Sequence, residues 1–148
     1  MYKHILIATD GSDLAQGAEN AGLTLTKSLN AQVCAVTVTE PWDALAMAAL
    51  AERGAPNPVT DYDRAAASAA NRILSHVSET AKKIGVACVT LHVKDKQPAE
   101  GIVETAKERG CDLIVMASHG RRGISRLLLG SQAMKVVASS PVPVLVCR

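Results

Sequence analysis

The chain has 148 residues, 48% hydrophobic and 20% charged, with a net charge of +2. That composition excludes a disordered chain and makes one domain over residues 1–148, with a real core, the simplest organisation. Phe is absent and the aromatic residues are Trp42, Tyr2 and Tyr62 alone, so the core must be packed from Ala, Val, Leu and Ile. The stacking platforms and the charge excess of a nucleic-acid binder are both missing.

In chain order, "KHILIAT" reads as a first strand. Ser12 or Asp13 then caps a helix whose apolar positions Leu14, Ala18, Ala21, Leu25 and Leu29 recur at spacings of three and four. "QVCAVTV", Gln32 to Val38, is the second strand. Thr39 to Thr60, with Pro41, Pro56 and Pro58, reads as a long loop carrying at most a short helix. Asp61 is the expected cap of a long helix with a stripe of Ala66, Ala70, Ile73, Leu74, Val77, Ala81 and Ile84, and Gly85 stops it. "VACVTLHV" is strand three. Pro98 opens a helix carrying Ile102, Val103 and Ala106, and Gly110 closes it. "DLIVMA" is strand four, its unbroken apolar run fitting a sheet covered on both faces. A last helix, with Ser131 as cap and Ala133, Met134 and Val137 apolar, leads to "PVPVLVCR" as strand five.

Strands alternating with helices, without an internal repeat, predict an α/β fold: one doubly wound, five-stranded parallel sheet with helices on both faces, Rossmann-like in class. In such sheets a ligand binds beyond the carboxyl ends of the strands where the strand order reverses, so the loops after strands one and four carry the interest.

No charged and apolar leader opens the chain, and the longest apolar run, "ALAMAALA", is far too short to span a bilayer. A cytoplasmic protein with no membrane partner is the expectation. Cys34, Cys88, Cys111 and Cys147 never approach C-x-x-C spacing and read as free, buried, structural thiols. The four histidines are scattered as widely, and no metal site is visible.

After strand one, "ATDGSD" puts Asp10 at the strand end. A carboxylate there can accept from a ribose or a base, hold a metal through water, or simply cap the helix. After strand four, "ASHGRRGISRLLLGSQ" holds three arginines and no acid. Gly120 and Gly130 let amides close around phosphate oxygens, the start of the last helix offers unpaired N–H groups, and Arg121, Arg122 and Arg126 neutralise charge. A solvated basic loop is the competing reading. The Walker pattern is excluded because Ser131, not lysine, follows Gly130, and no G-x-G-x-x-G follows strand one.

"ILIATDGS", "MASHGRRGISRLLLGS" and "SPVPVLVCR" together resemble the universal stress protein family over essentially the whole chain. The nucleotide-binding members carry G-x2-G-x9-G-[ST] after strand four; Gly120, Gly130 and Ser131 match it, and Ala117 stands at the first glycine. A methyl there is tolerated unless the backbone needs positive φ or the ligand leaves no room. The resemblance implies ATP, or AMP or ADP, with Mg2+. It implies Asp10 near the adenine or ribose, the main chain around Val38 against the base, and His119 in the loop without a chemical role. No catalytic set can be assembled, and a stress-response regulator acting through its nucleotide-bound state is the expectation, ahead of a dimeric adaptor without nucleotide or a slow ATPase. The resemblance also implies a homodimer through Val142 to Val146. "WDALAMAALAERG" reads as a short helix packed on the domain, with a lid or an exposed partner face as alternatives, and Trp42 is expected near the base.

Overall fold

A computed structural model describes residues 1–120 and 128–148, so Arg121, Arg122 and Arg126 lie outside the described residues. In chain order the elements are β1 (His4–Ala8), α1 (Asp13–Leu29), β2 (Gln32–Val38), α2 (Ala44–Glu52), α3 (Pro58–Lys83), β3 (Cys88–Val93), α4 (Pro98–Glu108), β4 (Leu113–Ala117), α5 (Ser131–Ser139) and β5 (Val144–Cys147). The strands form one sheet in the order β3-β2-β1-β4-β5, every pair parallel. The order reverses between β1 and β4, which places the two loops singled out by the sequence side by side.

Alternation along β1 divides the core. Leu6 and Ala8 face one side with Cys34, Val36, Ile114 and Met116, covered by Ile102, Val103 and Ala106 of α4 and Ala133 and Val136 of α5. Ile5 and Ile7 face the other with Val33, Ala35, Leu113 and Val115, covered by Ala18 and Leu23 of α1 and Leu74, Val77 and Ala81 of α3. Aliphatic and β-branched side chains suit a strand that is buried on both faces.

Three helices differ from expectation. The buried face of α1 is Ala15, Ala18, Glu19, Gly22, Leu23 and Thr26 rather than the leucine stripe, and Leu14 is exposed. The helix lies so close to β1 that a Cβ at Gly22 would stand 2.8 Å from the Ile7 side chain. Small residues, not large ones, therefore mark the contact. Helix α3 starts at Pro58, with Asn57 as N-cap, one turn before Asp61; the fixed φ of proline suits a first helical position. Helix α5 has Gly130, not Ser131, as N-cap, and this phase buries Ala133 and Val136 while Met134 and Val137 face out. Gly85 and Gly110, both at positive φ, follow α3 and α4 as expected.

The segment after β2 holds α2, capped by Asp43 accepting from the Ala46 N–H at 2.7 Å. None of its residues is buried; it is a short helix resting on the surface of the domain against α3. All four cysteines are free; Cys34 and Cys111 are buried, whereas Cys88 and Cys147 are only half-buried because their strands are the sheet edges. Among the described residues no helix is long and apolar enough to cross a membrane.

Candidate functional site

At the end of β1 the turn is held by side chains. Asp10 Oδ1 accepts from the Ser12 N–H at 3.0 Å, and Ser12 Oγ caps α1 by accepting from the Ala15 N–H at 3.3 Å. Ser12 is thus the helix cap, and Asp10 shapes the turn in front of it. Asp10 Oδ2 lies against Gly120, where an added Cβ would stand 2.7 Å from it.

At the end of β4 the backbone is clamped. The Ser118 N–H donates to the Cys147 carbonyl at 2.7 Å, and the Gly130 N–H donates to the Ser118 carbonyl at 2.8 Å, so the loop starts and finishes at one point. A Cβ at Gly130 would sit 2.9 Å from that carbonyl oxygen. Gly120 and Gly130 have negative or unstrained φ, and close approach, not backbone freedom, is what requires them. Ala117 is the buried last residue of β4, in register with Cys147 and outside the positive-φ region. Its methyl therefore needs no special backbone. His119 is buried and shares a 3.1 Å hydrogen bond from Nδ1 with Ser118 Oγ.

These two loops, the end of β2 and the start of α3 enclose a cavity of about 850 Å³. Asp10, Val38, Ala117, His119, Gly120, Gly130 and Ser131 all line it. Arg121 and Arg122, the remaining predicted contacts, lie outside the described residues. Among the described residues no side chain caps α5; its first turn borders the cavity, the arrangement that suits an anion. Gln132 Oε1 accepts from the Ala99 N–H at 3.1 Å, tying the starts of α4 and α5 together. Val38 packs under α4, where a Cβ at Gly101 would lie 2.9 Å from it. Trp42 is 40% exposed and is not among the lining residues.

The sequence did not reveal the far wall, made by Tyr62, Ala66, Ala69 and Ile73 of α3. The Tyr62 hydroxyl donates to the Glu40 carbonyl at 2.8 Å, fixing α3 against the segment after β2. The helical stripe was the available signal, but periodicity alone does not distinguish a residue that covers core from one that borders a cleft.

Behind Asp10 lies Glu19, almost wholly buried, accepting from the Thr9 hydroxyl. His76 Nδ1 approaches its other oxygen at 3.5 Å. Burial holds the Glu19 carboxyl above its ordinary value, against the Thr9 hydrogen bond and His76, and the neighbouring Asp10 charge adds to the rise. A carboxyl raised on folding favours the fold below its unfolded pKa, and that contribution is lost as pH climbs through the folded value. Gln keeps an acceptor for Thr9 and carries no charge. Glu19→Gln is therefore expected to raise stability at pH 7 by about 1 kcal/mol, roughly 2–4 °C in thermal midpoint, and to do nothing near pH 4. Thermal melts at the two pH values check it; equal effects at both would mean that the buried charge is not the cause.

The family model described as "Universal stress protein family" matches residues 1–148. The universal stress protein MJ0531 of Methanocaldococcus jannaschii is 33% identical over 148 residues, an overlap covering 100% of this chain and 83% of the relative. Among solved structures, the hypothetical protein MJ0577 superposes with a TM-score of 0.79 at 26% identity, covering 99% of this chain and 96% of that one. A universal stress protein crystallised in complex with cAMP superposes with a TM-score of 0.71, also at 26% identity, covering 99% and 97%. With the sheet order, the glycine clamp and a match over its full length, this chain belongs to the universal stress protein family.

Proposed function

We propose that this protein is an adenine-nucleotide-binding regulator of the stress response, a single universal stress protein domain that acts through its nucleotide-bound state. The observation that carries the reading is the cavity at the switch point of the sheet. An acid stands at one side of it, on the β1 loop, and at the other a helix start that no described side chain caps, with Gly120 against the acid and Gly130 clamped to Ser118. Base and ribose fit between Asp10, the main chain at Val38 and the α3 wall; phosphates fit at Gly120, Gly130 and Ser131, with Arg121 and Arg122 supplied by the same loop. A volume near 850 Å³ suits a nucleotide. Mg2+ with ATP draws its ligands mainly from phosphates and water and needs one or two carboxylates from the protein, a role that Asp10 fills. The relative crystallised with cAMP supports the choice of an adenine ligand.

A homodimer through Val142 to Val146 belongs to the same reading. Among the described residues strand β5 is a sheet edge paired with β4, and Leu145 on it is exposed. Sedimentation at two concentrations tests it.

Calorimetric titration of nucleotide-stripped protein with Mg-ATP tests the central claim. Saturable binding in the micromolar range is expected, and Ala117→Gly should change the affinity less than about threefold, under roughly 0.7 kcal/mol, because the native methyl already sits in the strand core. Absence of heat up to millimolar ATP in the native protein, with binding restored by Ala117→Gly, would favour the nucleotide-free adaptor instead.

A further inference from the structure

At the opposite end of the sheet from this cavity, three side chains scattered along the sequence meet. His4 begins β1, Cys34 lies on β2 and Cys111 immediately precedes β4. The strands β2 and β4 flank β1, and Cys34 and Cys111 face the α4–α5 side with Leu6. His4, two residues before Leu6, shares its face by strand alternation. The sulfurs of Cys34 and Cys111 are 3.6 Å apart, and the sulfurs and a ring nitrogen of His4 all lie within 4.8 Å of one another.

A zinc–sulfur bond of about 2.3 Å at the tetrahedral angle separates two thiolates by roughly 3.8 Å, close to what these cysteines already show. A disulfide requires about 2.05 Å between sulfurs and Cα atoms no more than roughly 6.8 Å apart. At 3.6 Å the two sulfurs stand well beyond that bond length and both thiols are free, so the pair as folded has the spacing of two metal ligands. We propose that His4, Cys34 and Cys111 bind one thiophilic divalent cation, zinc, through two sulfurs and one imidazole nitrogen.

Charge supports a divalent ion. Cys34 and Cys111 are 1% and 5% exposed; two thiolates and a neutral imidazole leave a zinc site uncharged, whereas a monovalent ion would leave a buried negative charge. The carbonyl end of α4 lies beside the site, since the Cys111 N–H donates to the Ala106 carbonyl at 2.9 Å, and a helix C-terminus favours a cation. Arg109 at that end opposes it in charge. The chain before β1 is held from outside the cluster: Asp112 accepts from the backbone N–H of Lys3 at 2.8 Å and of His4 at 3.0 Å. These bonds fix the backbone from which the His4 ring projects. His4, Cys34 and Arg109 also line a second cavity, of about 550 Å³, which leaves the fourth coordination position to water, as in a three-ligand zinc site.

The test uses the full chain with Cys88→Ser and Cys147→Ser, so that only the two buried thiols remain. Chelator-treated, reduced protein is titrated with Co2+ and then Zn2+ under anaerobic conditions. One equivalent of Co2+ should give a thiolate-to-metal charge-transfer band with tetrahedral ligand-field bands, and one equivalent of Zn2+ should abolish both. His4 is half-buried, so His4→Ala should stay folded and lose at least about tenfold in affinity, given that even outer-shell losses cost about 10–100-fold. Cys111→Ser should roughly halve the charge-transfer intensity by removing one of two thiolates. No charge-transfer band at several equivalents, or unchanged affinity and spectrum in His4→Ala, would overturn the site.

Discussion

Valine in place of Gly130 is expected to abolish nucleotide binding while leaving the chain folded. Its Cβ would enter at 2.9 Å from the Ser118 carbonyl oxygen and 3.4 Å from His119 Cα. Both obstacles are backbone atoms and cannot swing aside. Relief comes only by lengthening the 2.8 Å bond from the Gly130 N–H to that carbonyl, which moves the first turn of α5 away from the end of β4. The phosphate position proposed at Gly120, Gly130 and Ser131 is then pulled apart. We expect a loss of at least about 100-fold in Mg-ATP affinity by calorimetry, ~2.7 kcal/mol, against an overpacking cost to stability of about 1–3 kcal/mol. Gly17→Ala is the control, because a Cβ there meets nothing within 4 Å. Native affinity in the Gly130 variant would remove the clamp from the binding site.

Shortening Ile114 to alanine should give the largest loss of stability. The side chain is fully buried in β4, paired to Leu6 on one side and Val144 on the other, under the α4–α5 cover. The sheet and two helices close around it, so little can collapse into the space left behind. A loss of about 4 kcal/mol is expected from chemical denaturation, and a fall of roughly 10 °C in thermal midpoint. A loss under about 1 kcal/mol would mean that β4 is not the tightly packed interior strand that the sheet order makes it.

The strands were legible because their chemistry is local. Gln32–Val38 was recovered with its exact bounds, and Leu113–Ala117 within a residue, since an apolar β-branched run needs only its own side chains to announce a covered strand. The two loops of the candidate site were legible for a topological reason: alternating elements bring β1 and β4 together, whatever their separation in sequence. What failed was decided at a distance. Glu19 looks like a solvent residue until Thr9 and His76 arrive to hold it. Leu14 looks like core until Gly22 brings α1 down on its small side. Cys34 and Cys111, 77 positions apart, have no spacing to betray them. Ser131 offered better capping chemistry than Gly130, but the clamp to Ser118 set the start of the helix one residue earlier.

A core without phenylalanine is also optically silent. Trp42 sits exposed beyond the end of β2, and Tyr2 only flanks the inner cluster. Melting this protein therefore shifts few rings from an asymmetric, dry setting into water, and near-ultraviolet circular dichroism should barely register the transition. Amide dichroism or heat capacity has to follow it. Tyr62 is the exception: its ring borders the cavity proposed for nucleotide with its hydroxyl pinned to Glu40, so a change in phenol absorbance on adding ligand would arise in the cleft while the rest of the molecule stays dark.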